Sequence, residues 1–279
     1  MAGTDKTAGR AEDGPVELDG PAMVLAQPQL GENIGAACRA MWNFGFSDLR
    51  LAAPRDGWPN PAAEAMASGA DRVLQAARVY PDVVSATAAL AHVYATTARP
   101  RELTKRVLTP REASAEIVSR HAAGERCGVL FGPERTGLEN ADVIRANAII
   151  AVPANLAFAS LNLAQCVLLM SYELRQAEMA RRGEGREPME EPMEEPMGER
   201  MGAGAAQHDA PATMAEVEGV AAHLIDQLDE AGHFWPEAKR PAMVASLRNF
   251  LSRAAMTGQD ARMLRGVVRA LSEKRRRRP

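Results

Sequence analysis

Aromatic side chains are scarce in this chain, with Phe, Trp and Tyr making up 4% of its 279 residues. A core built on aromatic stacking is therefore not expected, and packing falls to Ala, Val and Leu, which recur throughout and suit helices laid on strands. Cysteine is scarcer still, at 3 residues, Cys38, Cys127 and Cys166. They form no C-x-x-C pair and the 5 histidines show no ligand spacing, so buried reduced thiols are expected and no metal site is indicated. Long apolar runs are missing too: the longest are near ten residues, against roughly 20 for a membrane span. With no apolar signal-peptide core in "MAGTDKTAGRAEDGPVELDG", a cytoplasmic protein that makes no membrane contact is expected.

What is present is ample core material. Hydrophobic residues make up 46% of a chain long enough for one large domain or two moderate ones, so a globular α/β or helical body is expected. The net charge of −3 argues at first against a nucleic-acid partner, but the charge is unevenly spread. Residues 1–20 hold 2 basic against 5 acidic side chains, and residues 183–212 hold 2 against 8. Elsewhere the balance reverses, to 17 against 15 over residues 21–182 and 12 against 8 over residues 213–279, so an anionic partner stays open.

Alternation of apolar runs and helical spacing organises the first part. "AMVLAQP" has a strand's length, and in "NIGAACRAMWNFG" Ile34, Ala37, Met41 and Phe44 fall at helical intervals. Further apolar runs, "LRLAAP", "HVYATTA", "CGVLFGP" and "NAIIAVP", are interleaved with helices such as "PREASAEIVSRHAA", which predicts a parallel sheet covered on both faces. A polar leader over residues 1–20 is expected to be disordered, and the α/β domain to run over 21–182. Residues 183–212 carry a period-four Glu-Pro-Met repeat in which Pro and like charge oppose helix, strand and burial together, so a flexible acidic linker is expected. Beyond it, residues 213–279 read as a small module of amphipathic helices ending in the basic tail "EKRRRRP".

Neither a G-x-G-x-x-G fingerprint nor a P-loop follows the first strand, which argues against a nicotinamide-dependent dehydrogenase on a doubly wound sheet. In its place stands "QPQLGENIGAACRAM". Asn33 is a good N-cap type, Gly35 permits close approach of another backbone, and Arg39 on the helix suits a solvated charge as well as a site. In "CGVLFGPERTGL", Glu134, Arg135 and Gly137 occupy a tight loop after a strand, at the carboxyl edge where open α/β sheets bind ligands. The third loop is "AVPANLAFASLNLAQ". Ser160 is expected to be the N-cap of a helix buried almost all round, by its own domain or by a second subunit, through Leu161, Leu163, Ala164, Cys166, Val167, Leu168, Met170 and Leu174, whereas Asn162 is a misfit inside a first turn.

The ordered set N-x-G-x-x-x-R, F-G-x-E-x-x-G-L and S-L-N-L-A, over about residues 21–180, resembles the SPOUT superfamily of RNA methyltransferases, specifically its TrmH-like ribose 2′-O-methyltransferases. "TTARPREL", "PANLAFASLNLA" and the downstream "RNFLSRA" and "MLRGVVRAL" look most like the TrmJ branch. The resemblance implies a parallel sheet with a trefoil knot at its carboxyl-terminal end, a topology that general rules would have set aside. It also implies bound S-adenosylmethionine, a homodimer with active sites between subunits, and a tRNA substrate methylated at anticodon-loop nucleotide 32, usually a pyrimidine. By position, Thr96, Thr97, Ala98, Gly132, Val152 and the segment Ala159, Ser160, Leu161, Asn162, Leu163 and Ala164 match the family's cofactor loops. Asn33, Arg39, Glu134, Ser160 and Asn162 match its polar active-site positions.

Arg39 is the expected catalytic group in that resemblance, acting electrostatically on the phosphate and the developing 2′-alkoxide, since a guanidinium stays protonated. Asn33, Ser160 and Asn162 would orient Arg39 and substrate, and Glu134 would fix its loop. Arg248, Arg253, Arg262, Arg265 and Arg269 of the helical module, with the basic tail, are candidate contacts to tRNA phosphates. Two other readings share these motifs: 2′-O-methylation at another tRNA or ribosomal RNA site, and a catalytically silent RNA-binding protein.

Overall fold

The computed structural model describes residues 17–98, 105–184 and 210–276. Its first part alternates β1 (Ala22–Ala26), α1 (Gly31–Asn43), β2 (Leu49–Ala52), α2 (Pro61–Ala67), α3 (Asp71–Ala76), β3 (Arg78–Tyr80), α4 (Val83–Thr87) and β4 (His92–Thr96). There follow β5 (Arg106–Leu108), α5 (Pro110–Ala122), β6 (Cys127–Phe131), α6 (Asn140–Arg145), β7 (Ala148–Ile150) and α7 (Leu163–Arg182). The final helices are α8 (Met214–Glu230), α9 (Arg240–Arg253) and α10 (Gly258–Arg276). Among the described residues no helix is long and apolar enough to cross a membrane.

The strands form one 7-stranded sheet in the order β3-β2-β1-β6-β4-β7-β5, every pair parallel. Side chains alternate between faces, so β1 sends Met23 and Leu25 to one face and Ala22, Val24 and Ala26 to the other. The first face is covered by α1, α2, α5 and α7 through residues such as Ile34, Met41, Ala63, Ile117 and Val167. The second is covered by Val83 and Ala86 of α4, Val143 of α6 and, from the last helices, Met214. Both faces are thus dry, as the unbroken apolar strands predict. Because all strands run the same way, every loop that leaves a carboxyl end emerges at one edge.

Close packing of α1 on α2 depends on Gly35: a Cβ there would stand 2.2 Å from the Ala63 carbonyl oxygen and 2.9 Å from the Ala67 nitrogen. The carboxyl-terminal helices have their own small core, with Ala212, Val220, Ala221, Leu251 and Ala261 buried together. They are also tied to the sheet. The Met214 N–H donates to the Leu90 carbonyl at 2.8 Å, Asn147 Nδ2 to the Ser252 carbonyl at 3.2 Å, and Ser252 Oγ to the Ile144 carbonyl at 2.9 Å. Lys105 Nζ reaches Ser252 Oγ at 2.8 Å and also the Ala146 carbonyl.

Several expectations change in detail. Leu18, placed in the polar leader, is buried and its N–H donates to the Gly45 carbonyl at 2.7 Å; the rest of the leader to residue 16 lies outside the described residues. Of the linker, residues 185–209 lie outside them, as do the tail residues 277–279. Within one chain, α7 is buried on one side only: Leu163, Val167, Met170 and Leu174 carry the packing, and Leu168, Leu169 and Tyr172 are exposed. Cys38 and Cys127 are buried free thiols as expected, and Cys166 is half-buried.

Candidate active site

Three loops converge at the carboxyl edge of β4, β6 and β7. After β6, Gly132 lets the chain fold back on itself: a Cβ at this position would lie 2.2 Å from the Leu138 nitrogen and 2.5 Å from the Gly137 carbonyl carbon. Gly137 completes the turn at φ 66°, a left-handed conformation that favours glycine, and its N–H donates to the Pro133 carbonyl at 2.9 Å. Leu138 then returns to the core, as the sequence predicts. Beside this turn, Thr96 Oγ1 donates to the Leu130 carbonyl at 3.0 Å and the Thr97 N–H to the Ile150 carbonyl at 3.0 Å.

The loops enclose a cavity of about 320 Å³, inside the usual range of about 300–1,000 Å³ for small-molecule sites. Its wall includes Thr96, Thr97, Ala98, Gly132, Val152, Ala159, Ser160, Leu161 and Leu163, all expected from the sequence as cofactor positions. Asn162 and Ala164, expected with them, are not on the wall. Arg135 and Gly137, placed by the sequence in a loop at the ligand-binding edge, line it too, as do Pro133, Thr136 and Cys166, which were not singled out. Burial raises the Cys166 thiol, so it lines the cavity as a neutral group.

Glu134 ties the loops together. Its Oε2 accepts from the Gln29 N–H at 3.0 Å, and its Oε1 from the Leu30 N–H at 3.3 Å and from Asn33 Nδ2 at 2.8 Å. Asn33 in turn accepts from Asn162 Nδ2 at 3.0 Å. A single chain of hydrogen bonds therefore joins the start of α1, the turn after β6 and the start of α7, across sequence separations of 101 and 129 residues.

This geometry corrects both capping assignments. Leu30 is the N-cap of α1, and Asn33 lies within its first turn, where its side chain is given to Glu134 and Asn162. The N-cap of α7 is Asn162, not Ser160: its Oδ1 accepts from the Ala164 and Gln165 N–H groups, and Gln165 Oε1 accepts from the Asn162 N–H in return. Ser160 sits two residues upstream, exposed and on the cavity wall. Asn162 ceases to be a misfit because it stands just before the helix.

Arg39 departs further from expectation. It is exposed and is not on the cavity wall, and neither Asn33 nor Asn162 bonds to it. Six residues along α1 at about 100° each place it roughly 120° around the helix from Asn33. Of the arginines singled out in the last helices, Arg248 is committed to an ion pair with Glu218 at 2.7 Å.

Comparison with known proteins bears on this geometry. Residues 21–172 match the SpoU rRNA Methylase family, and residues 215–279 match the C-terminal domain of tRNA methyltransferase TrmJ. The tRNA (cytidine/uridine/adenosine-2′-O-)-methyltransferase TrmJ of Pseudomonas aeruginosa (strain UCBPP-PA14) is 33% identical over 251 residues, covering 90% of this chain and 93% of that one. The tRNA (cytidine/uridine-2′-O-)-methyltransferase TrmJ of Yersinia pestis (strain Pestoides F) is 30% identical over 252 residues, 90% of this chain and 91% of that one. Among solved structures, TrmJ from Z. mobilis ZM4 aligns with a TM-score of 0.75 at 47% identity, covering 90% of this chain and 98% of the other.

Proposed function

The chain belongs to the SpoU methylase family and continues into a TrmJ-type C-terminal domain, and from this premise we propose that it methylates the ribose 2′-hydroxyl of a tRNA nucleotide, with S-adenosylmethionine as donor. The observation that carries the reading is the cavity at the sheet's carboxyl edge, pinned by the Glu134, Asn33 and Asn162 chain. Its wall suits the cofactor: main chain approaches where Gly132 has no Cβ, Leu161, Leu163 and Ile150 offer apolar contact, and Thr96 to Ala98 and Ser160 offer polar groups. When bound, S-adenosylmethionine supplies a methyl group already activated on a sulfonium. Threading of these loops as a trefoil knot belongs to the same proposal.

The protein's own task is to place the ribose oxygen and stabilise charge that develops on it. Arg39 is assigned the second role, as a fixed positive charge and not as a base. Since it stands away from the cavity of its own chain, it serves a cavity of a second copy in a homodimer. Leu168, Leu169 and Tyr172, 42%, 37% and 45% exposed along α7, are the apolar surface such a dimer would cover. The target proposed is anticodon-loop nucleotide 32; that it is a cytidine or uridine is in line with the names of the relatives, and whether adenosine is accepted separates the two named above.

Incubating the purified protein with labelled S-adenosylmethionine and unmodified tRNA, then mapping 2′-O-methyl nucleosides by mass spectrometry, tests the reading. Methylation at nucleotide 32 is expected, and Arg39→Ala is expected to abolish it while cofactor binding persists. Cofactor binding without transfer to any tRNA refutes the proposal, and transfer at another site refutes the assignment of position 32.

A further inference from the structure

The helix α10 carries two apolar stripes, and only one of them is packed. Ala261 and Val268, with Leu264 between them, lie against the other terminal helices. On a different side Met263, Val267 and Leu271 recur every fourth residue and are 62%, 49% and 65% exposed. Isolated exposed apolar residues are ordinary, whereas a continuous row marks an interaction surface. Exposed Gly266 and Ala270 widen the row, and Arg262, Arg265 and Arg269, also exposed, border it. Near its far end Leu271 joins Leu224 and Leu228 of α8 around a groove of about 450 Å³. The surface is therefore apolar and flanked by positive charge, which calls for an occupant that is apolar and acidic.

The chain contains such a segment. In residues 187–201, outside the described part, Met189, Met193, Met197 and Met201 also recur every fourth residue, accompanied by Glu187, Glu190, Glu191, Glu194 and Glu195. Pro188, Pro192 and Pro196 recur in the same period. An extended chain at about 3.1 Å per residue would set successive methionines about 12 Å apart, twice the roughly 6 Å between neighbours in the row and equal to the roughly 12 Å between Met263 and Leu271.

Where the segment rejoins the fold is also defined. Pro211 pairs with Thr257 in an antiparallel bridge, the Gly258 N–H donates to the Ala210 carbonyl at 3.1 Å, and the Ala212 N–H to the Met256 carbonyl at 2.8 Å. The chain thus arrives against the first turn of α10, about 8 Å from the start of the apolar row, and the residues between Met201 and Ala210 span up to about 30 Å.

We propose that the Glu-Pro-Met segment, residues 187–201, docks on the exposed row of α10, with two successive methionines on Met263 and Leu271, Val267 covered between them, and its glutamates facing Arg262 and Arg265. A second copy of this face would bring arginine against arginine, and an RNA strand would satisfy the arginines while leaving the apolar row bare. Tethering gives the segment an effective concentration in the millimolar range, so a local dissociation constant of about 0.1 mM keeps the face covered about ten times as often as open.

Labelling of a Val267→Cys thiol in the full chain tests this, with the unsubstituted protein as background for Cys166 and Met263→Cys as a second probe site. Labelling is expected to accelerate about tenfold when Glu190, Glu191, Glu194 and Glu195 are all replaced by Gln, or Met189, Met193 and Met197 by Ser. Equal rates at both probe sites in all backgrounds overturn the proposal. So does protection that grows with protein concentration, which gives the face to a second copy, or protection that appears only on adding tRNA.

Discussion

Glu134→Gln preserves shape and removes one acceptor from the site's main tie. The carboxylate accepts three N–H donors, Gln29 on Oε2 and Leu30 and Asn33 Nδ2 on Oε1, at 3.0, 3.3 and 2.8 Å. A carboxamide has one carbonyl oxygen, and its NH₂ group must then face at least one of these donors. In the better orientation the oxygen keeps Leu30 and Asn33, and the Gln29 N–H is left opposite an amide. An unsatisfied donor costs about 1–3 kcal/mol when buried; with Glu134 half-buried and two bonds losing charge assistance, about 2 kcal/mol is expected overall. For a domain of this size that lowers the melting temperature by about 4–8 °C. Because the same loop walls the cavity, the binding-competent conformation is depopulated too, and S-adenosylmethionine affinity is expected to fall about tenfold. Calorimetric unfolding and titration of the cofactor measure the two effects. In a double-mutant cycle with Asn33→Ala the losses should fall short of additive by about 0.5–2 kcal/mol, since the residues share a bond. A Glu134→Gln protein with unchanged melting temperature and cofactor affinity refutes the reasoning.

Other perturbations isolate single features. Gly132→Ala places a Cβ 2.2 Å from the Leu138 nitrogen, against backbone that cannot yield, and is expected to cost about 1–3 kcal/mol in unfolding together with cofactor binding; a variant with wild-type melting contradicts the close approach. Asn162→Ala removes the cap of α7 and is expected to cost about 1 kcal/mol, whereas Ser160→Ala should leave thermal stability unchanged, so equal melting of the two variants argues against Asn162 as the cap. Burial, and then the Arg253 charge, push the Lys105 ammonium down to about 8, below an unfolded value of about 10.4. The unfolded chain therefore binds more protons between those values and stability rises with pH across them. The parent is expected to gain about 1–2 kcal/mol over Lys105→Met between pH 8 and 10 in denaturant titrations, after allowance for screening, and a constant difference refutes the shift. If Arg39 serves the cavity of a second copy, mixing Arg39→Ala chains with chains whose cavity is filled by Ser160→Trp restores about a quarter of parental activity, while a site complete within one chain gives none.

Much of the fold is legible because its signals are local. The runs that form β1, β6 and β7 are apolar without interruption and those of β2 and β4 nearly so, broken by Arg50 and by His92 and Thr96, and their burial on both faces follows. The missed strands are the two edges. At three residues each, Arg78–Tyr80 and Arg106–Leu108 carry a charged first residue and an exposed valine, and each pairs on one side only, so pairing and not composition makes them strands. Strand order is equally silent in sequence, since β6 enters between β1 and β4 long after both are formed. The site shows the same division. Gly35, Gly132 and Gly137 stand out because each answers a steric demand within its own segment. That Asn33 and Asn162 face each other, or that Arg39 does not share their side, depends on contacts between segments more than 100 residues apart. The apolar composition of α7 points to cover on most sides, but it does not say which side meets its own domain and leaves Leu168, Leu169 and Tyr172 outside it.

The described side chains of the cavity wall are largely committed to holding its shape. Among the described residues, the titratable ones on the wall are Glu134, Arg135 and Cys166. The first has three N–H donors on its oxygens and serves the loops, and the third is held neutral by burial. Arg135 is exposed on a turn whose shape is set by Gly132 and Gly137. What the described wall supplies is shape and main-chain polarity. In the proposed reading Arg39, projecting from the first packed helix and lacking an ion-pair partner among the described residues, delivers positive charge to the cavity of a neighbouring copy and not to its own. In this arrangement the hydrogen-bond chain from Glu134 to Asn162 keeps the cavity formed in each chain, and pairing of two chains completes it.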